Sequence, residues 1–130
     1  MLHLPKERTM DITINDHRKI YAIKDEFNAA FPFLKLEFFA KPHVKGGASS
    51  KQLMKSDSKT IGECRTIHKH GQLSINPEMT VGELEQYFTD VFGLFVQVFR
   101  KSGKVWLETT VTDGWTLAKQ NEQGRELSEA

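Results

Sequence analysis

Met79-Thr80-Val81-Gly82-Glu83-Leu84, followed at the end of the same stretch by Gly93-Leu94-Phe95-Val96-Gln97-Val98-Phe99, spells a helix start, a helix stop and a strand. Thr80 and Glu83 have the spacing of a capping box, in which each side chain takes up a backbone N–H that the first helical turn leaves free. Met79 and Leu84 stand at the flanking staple positions. Val81, Leu84, Tyr87, Phe88, Val91 and Phe92 recur at helical spacing and make one apolar stripe. Gly93 can take the left-handed conformation that ends helices. The stretch therefore predicts a helix over 80–92 and an apolar strand over 94–100, and it fixes structure without carrying chemistry.

Upstream, Met10, Ile12 and Ile14 alternate with Asp11, Thr13 and Asn15, the period of a half-buried strand. Asn15 or Asp16 is then placed to cap a helix whose apolar face is Ile20, Ile23, Phe27 and Phe31, stopped at Pro32. Leu34, Leu36 and Phe38 form a second alternating strand. Strand–helix–strand thus occurs twice, over 10–39 and 72–100, and no longer repeat is legible. Between the two, residues 40–59 carry Pro42, Gly46-Gly47, Ser49-Ser50 and five lysines, which predicts a long exposed basic loop. Residues 60–67 and 72–76 read as a hairpin turning at His68-Lys69-His70-Gly71.

Downstream, Ser102-Gly103 reads as a tight turn into a partner strand over 105–111. Asp113-Gly114 turns the chain again, a short helix follows over 116–122, and 1–8 and 124–130 read as frayed tails. The expectation is one α+β domain over 1–130. It has a mostly antiparallel sheet of five or six strands and two main helices, in the order β-α-β-β-β-α-β-β.

Two architectures fit that order. The doubled strand–helix–strand suggests a ferredoxin-like sandwich. Residues 60–122 alone resemble the ubiquitin-like β-grasp family. Gly71-Gln72-Leu73-Ser74-Ile75-Asn76-Pro77 leading into Thr80-Val81 is similar to that family's second strand and helix entry. Asp113-Gly114-Trp115-Thr116-Leu117 resembles its Asp-Gly-x-Thr-Leu stretch. The family's terminal Gly-Gly is missing, so conjugation is not implied; protein–protein recognition is.

Composition narrows the classes further. With 38% hydrophobic and 27% charged residues the chain reads as an ordinary folded protein, and no apolar run is long enough to span a bilayer. The N-terminus lacks the apolar core of a signal peptide. One cysteine, Cys64, forbids an internal disulfide and points to a reducing, cytoplasmic setting. Charge is unevenly spread. Residues 1–40 hold six basic and six acidic side chains, 41–70 seven basic and two acidic, and 71–130 five basic and nine acidic. Such asymmetry bears on partners.

Three constellations remain as sites. Cys64, His68 and His70, with His43, are the only soft-ligand cluster, yet their spacing matches no zinc pattern, and neither a metal nor a cofactor is expected. Lys41, Lys45, Lys51, Lys55, Lys59, Arg65 and Lys69 form an anion-binding set suited to a nucleic acid or ribonucleoprotein. The glycines among them lack the phosphate-loop pattern. Trp106 shares its strand face with Glu108 and Thr110, while Val105, Leu107, Thr109 and Val111 share the other. With that second face in the core, Phe95, Phe99, Trp106 and Trp115 would present an aromatic surface to a partner. The reading that follows is a non-enzymatic module binding a protein, with a homodimer as one form. Nucleic acid binding is the alternative, a small enzyme or metal site the second alternative, and no membrane is involved.

Overall fold

The computed structural model describes residues 9–40 and 54–129. Five strands and three helices occur among them: β1 (Met10–Ile14), α1 (Ile20–Ala30), β2 (Leu34–Phe39), β3 (Gly71–Ile75), α2 (Val81–Phe92), β4 (Phe95–Ser102), β5 (Val105–Glu108) and α3 (Leu117–Glu129). A 3-10 turn, Gly62–Cys64, lies before β3. All strand pairs are antiparallel, and the strands divide between two sheets, β1-β3 and β2-β4-β5. The chain is a small α+β domain, as its alternating patterns predict. No helix among the described residues is long and apolar enough to cross a membrane.

Local chemistry sets the elements. At α2, Thr80 Oγ1 accepts from Glu83 N–H and Glu83 Oε1 from Thr80 N–H, both at 3.1 Å. Gly93 ends the helix at φ 65°, where a Cβ would sit 2.4 Å from Ile67; glycine is required there on both counts. The start of α1 differs from expectation. Its N-cap is Lys19, with no side-chain cap. Asn15 instead closes a turn ahead of the helix by accepting from His17 and Arg18 N–H, and Asp16 turns to Arg65.

The recurrence extends well beyond strand–helix–strand. Ile20 N–H bonds Lys59 O and Tyr21 N–H bonds Asp57 O. In the second half Val81 N–H bonds Trp115 O and Gly82 N–H bonds Asp113 O. In the reverse direction Ile61 and Gly62 bond Arg18 O and Asp16 O, and Leu117 and Ala118 bond Met79 O and Pro77 O. The bridges Lys19–Thr60 and Thr80–Thr116 correspond, as do the turns at Asn15 and Asn76. Asp113-Gly114-Trp115-Thr116-Leu117, the stretch similar to a β-grasp motif, is thus the counterpart of Asp57-Ser58-Lys59-Thr60-Ile61. Ile12 pairs with its own counterpart Leu73, and Glu37 with its counterpart Gln97. This is the pairing that an approximate two-fold axis through those two positions produces.

One core fills the space between the sheets and helices. Ile12, Ile14, Leu73 and Ile75 enter from the ribbon, Leu34, Leu36, Phe38, Val96 and Val98 from the three-stranded sheet, and Ile20, Ile23, Phe27, Val81, Leu84 and Phe88 from the helices. Each such side chain contributes about 1.5–3 kcal/mol on burial.

Three elements depart from the sequence reading, one of them the strand expected over 105–111, which stops at Glu108. The hairpin expected over 60–76 does not form: Thr60 and Glu63 close a capping box of their own around the 3-10 turn, and β3 pairs with β1. Helix α3 runs through the expected frayed tail to Glu129. It is held there because Gly124 packs so closely that a Cβ would lie 2.8 Å from Phe33. Asn121 and Ser128 also accept the N–H groups of Phe33 and Gly103.

Candidate functional site: the outer sheet face, its open edge and the groove beside helix α2

Residues paired across antiparallel strands share a face. The registers therefore put Lys35, Glu37 and Phe39 of β2, Phe95, Gln97, Phe99 and Lys101 of β4, and Trp106 and Glu108 of β5 on the face opposite Leu36, Phe38, Val96 and Val98, where Glu37, Phe39, Gln97 and Phe99 are nonetheless buried. Three of the four aromatic candidates, Phe95, Phe99 and Trp106, are brought together here. Phe99 is only 9% exposed, Phe95 and Trp106 are half-buried, and Lys35 Nζ lies 5.5 Å from the Phe99 ring and 5.0 Å from Trp106. Trp115 belongs to the other side, against Arg100 at 5.7 Å and Lys119 at 4.2 Å.

The face expected to be core on β5 is the exposed one. Val105 is 56% and Leu107 43% exposed, because α3 packs over β4 and β2, leaving β5 outside its cover. Among the described residues β5 pairs with β4 alone. Thr109 N–H bonds Val98 O, and by antiparallel alternation the backbone groups of Trp106 and Glu108 then point to the open side.

At the centre of the molecule the two-fold brings four polar side chains together. Lys24 of α1 pairs with Glu37 and donates to Asp57 Oδ1 at 2.9 Å. Burial alone would lower the Lys24 pKa, but the bonds to Glu37 and Asp57 outweigh it and hold the ammonium above its ordinary value. Glu85 of α2, the counterpart of Lys24, accepts Val98 N–H at 2.9 Å and Gln97 Nε2–H at 3.4 Å. Gln97 is fully buried, and its Oε1 has no hydrogen-bond partner among the described residues.

The basic set divides. Arg65 has a fully buried side chain, donating to Asp16 Oδ1 through Nε and Nη2 and to Phe92 O through Nη1, so its guanidinium is engaged in an internal ion pair. Lys59 and Lys69 are exposed and Lys55 half-buried. Lys41, Lys45, Lys51 and His43 lie outside the described residues. His68 Nδ1 and His70 Nε2 both approach Asp16 Oδ2, at 2.8 and 3.5 Å. Burial would raise the Asp16 pKa, but Arg65 and His68 together hold it below the usual carboxylate range. Burial pushes the Cys64 thiol up, which suppresses its thiolate. Among the described residues no group of three or more His, Cys, Asp or Glu side chains is arranged to hold a metal ion.

An open groove of about 610 Å³ runs beside α2, lined by Phe95 and Val96 as apolar residues, by Glu83, Glu85 and Asp113 as charges, and by Gly82. The sequence pattern gives Lys24 no role, reads Glu85 with Glu83 as a solvated helix face and Asp113 as a turn residue; Glu85 is in fact buried. The signal was present: Asp57 and Asp113 head the same short motif, but only the hydrogen-bond pattern reveals the two stretches as counterparts. Comparison of the chain with family models, with curated proteins and with solved structures gives no match.

Proposed function

We propose that this domain is a non-enzymatic module that binds a protein partner at the β5 edge of its three-stranded sheet, in the cytoplasmic setting that a single cysteine suits. The observation that carries the reading is the exposure of Val105 and Leu107 on a strand with no second neighbour among the described residues. Open apolar edges invite addition of another strand, and strand addition is a recurrent mode of peptide recognition. Phe95 and Trp106, half-buried, and Phe99, buried, lie on the adjoining face and flank the edge. The partner's strand would take its hydrogen bonds from the backbone of Trp106 and Glu108 and its specificity from the side chains beside them.

The test compares affinity capture by the wild-type chain with capture by Glu108→Pro and Leu107→Lys. Proline at 108 removes an outward N–H and leaves the ladder to β4 intact, which edge strands tolerate. A partner retained by the wild type and lost by both variants, at unchanged circular dichroism, supports the module. A partner retained by both variants overturns it. Retained material that disappears on nuclease treatment or in high salt would favour Lys55, Lys59 and Lys69 instead, because phosphate contacts are salt-dependent. A second copy captured through β5 would make the module a homodimer.

A further inference from the structure

We propose that two copies of this chain pair antiparallel through their β5 edges, about a dimer axis at Trp106 that sets Lys104 of each copy opposite Glu108 of the other. The inference rests on the reading of β5 as the binding edge and names the partner. Among the described residues β5 pairs with β4 alone. Its register there sets Val105 against Ser102 and Leu107 against Arg100, and Thr109 N–H bonds Val98 O. The odd-numbered residues therefore turn their backbone groups inward to β4, and Trp106 and Glu108 turn theirs outward.

A strand that pairs with its own copy about a two-fold must set outward-bonding residues opposite one another, with both copies keeping the same face up. Two such registers overlap most of β5, one centred on Trp106 and one on Leu107. The first places Val105 against Leu107 of the other copy and Lys104 against Glu108, each pair occurring twice. The second places Leu107 against itself, Trp106 against Glu108 and Lys104 against Thr110. Only the first is complementary in charge at both ends, and opposite-charge pairs across strands stabilise where like pairs do not. Lys104 is exposed and Glu108 half-buried, and neither is engaged in an ion pair among the described residues.

The edge is thus its own complement. Outward from Trp106 it runs Leu107, Glu108 one way and Val105, Lys104 the other. A foreign strand would have to reproduce that order of apolar and charged positions, whereas a second copy carries it already. The pairing covers apolar surface that a single copy leaves in water, since Val105 is 56% and Leu107 43% exposed. On the opposite face Trp106 meets Trp106 of the other copy, and aromatic cross-strand pairs add to the contact. Helix α3 packs over β4 and β2 rather than β5, which leaves the edge accessible. Because the contact is isologous, each β5 closes the other's edge, joining the two three-stranded sheets into one.

The experiment is sedimentation equilibrium of the full chain over a wide concentration range, with circular dichroism as the control for folding. The expected result is reversible association from 14.9 kDa to twice that mass. Lys104→Glu and Glu108→Lys, each alone, set like charges opposite one another at both ends, and each is expected to weaken the dimer by about tenfold or more. Mixing the two single variants, or combining both exchanges in one chain, restores opposite charges at both ends and is expected to restore the dimer. Should one single variant fail to fold, the other and the chain carrying both exchanges decide. A chain that stays monomeric, a dimer that the single variants leave intact, or variants that do not rescue one another overturns the self-pairing. A monomeric chain that still loses a captured partner on Glu108→Pro keeps the β5 edge and overturns only the second copy as its occupant. Retention of both dimer and captured partner by Glu108→Pro overturns both readings.

Discussion

The two halves of this chain share a backbone plan and differ in where they place charge. In the first, Lys24 joins α1 to Glu37 and Asp57, and Arg65 joins the turn at Asp16 to the end of α2. In the second, Glu85, Gln97 and Asp113 occupy the positions of Lys24, Glu37 and Asp57, and Pro77 replaces Asp16. The first half closes itself with ion pairs, whereas the second keeps an open groove and capped helix ends. The comparison teaches that backbone hydrogen bonds and apolar positions suffice to specify the plan twice, while the polar positions differ between the two copies.

The equivalence of the cores is the first thing to break. Phe27 and Phe88 are counterparts and both are fully buried. Alanine at either is expected to cost about 3–5 kcal/mol by chemical denaturation, with the two values close to each other. A large disparity would show that the core leans on one half.

The charge difference gives the next effect, read as stability against pH. Asp16 has a lowered pKa. Its contribution is therefore present above the unfolded-state value of roughly 4 and is lost as pH falls through the folded value. Lys24 has a raised pKa. Its contribution is complete below the unfolded-state value of about 10.4 and is lost as pH rises through the folded value. Asp16→Asn should flatten the acid limb and Lys24→Met the alkaline limb of a denaturation profile. At neutral pH Lys24→Met should also cost on the order of 2–3 kcal/mol, by leaving Glu37 buried without its cation. Limbs unchanged in the variants would show that these pairs carry no linkage.

The smallest effect sharpens the comparison at the helix starts. α2 has a capping box and α1 has none, with Lys19 and Ala22 at the positions of Thr80 and Glu83. Transplanting the box by Lys19→Thr with Ala22→Glu should raise stability by about 1 kcal/mol, and Thr80→Ala should lower it by a similar amount. Melting-temperature shifts of opposite sign would confirm both.

Much of the fold was legible because it depends on near neighbours. The cap of α2, the left-handed Gly93, the alternation in β1 and β2 and the apolar run of β4 are each local, and each appears where its pattern predicts. What failed depended on distant contacts. Residues 60–67 have strand-like composition, yet Thr60 and Glu63 satisfy one another and Arg65 is drawn to Asp16 and Phe92. The tail after Gly124 is polar, but α3 is fixed by Phe33 and Arg100 from across the sheet. Trp106 and Leu107 alternate correctly on β5; which side became solvent was decided by α3 packing over β4 and β2.

By itself, then, the sequence determined the helices with strong apolar faces, the alternating strands and the α+β class, since period and capping act within a few residues. The tertiary structure alone decided the pairing of β1 with β3 and of β2 with β4, and through it the two-fold that makes Lys24 and Glu85 counterparts. It also decided that His68 and His70 meet Asp16, that Arg65 is buried, and that Asp113 faces a groove. Those outcomes depend on which surfaces meet across the core, and such meetings have no period in the chain.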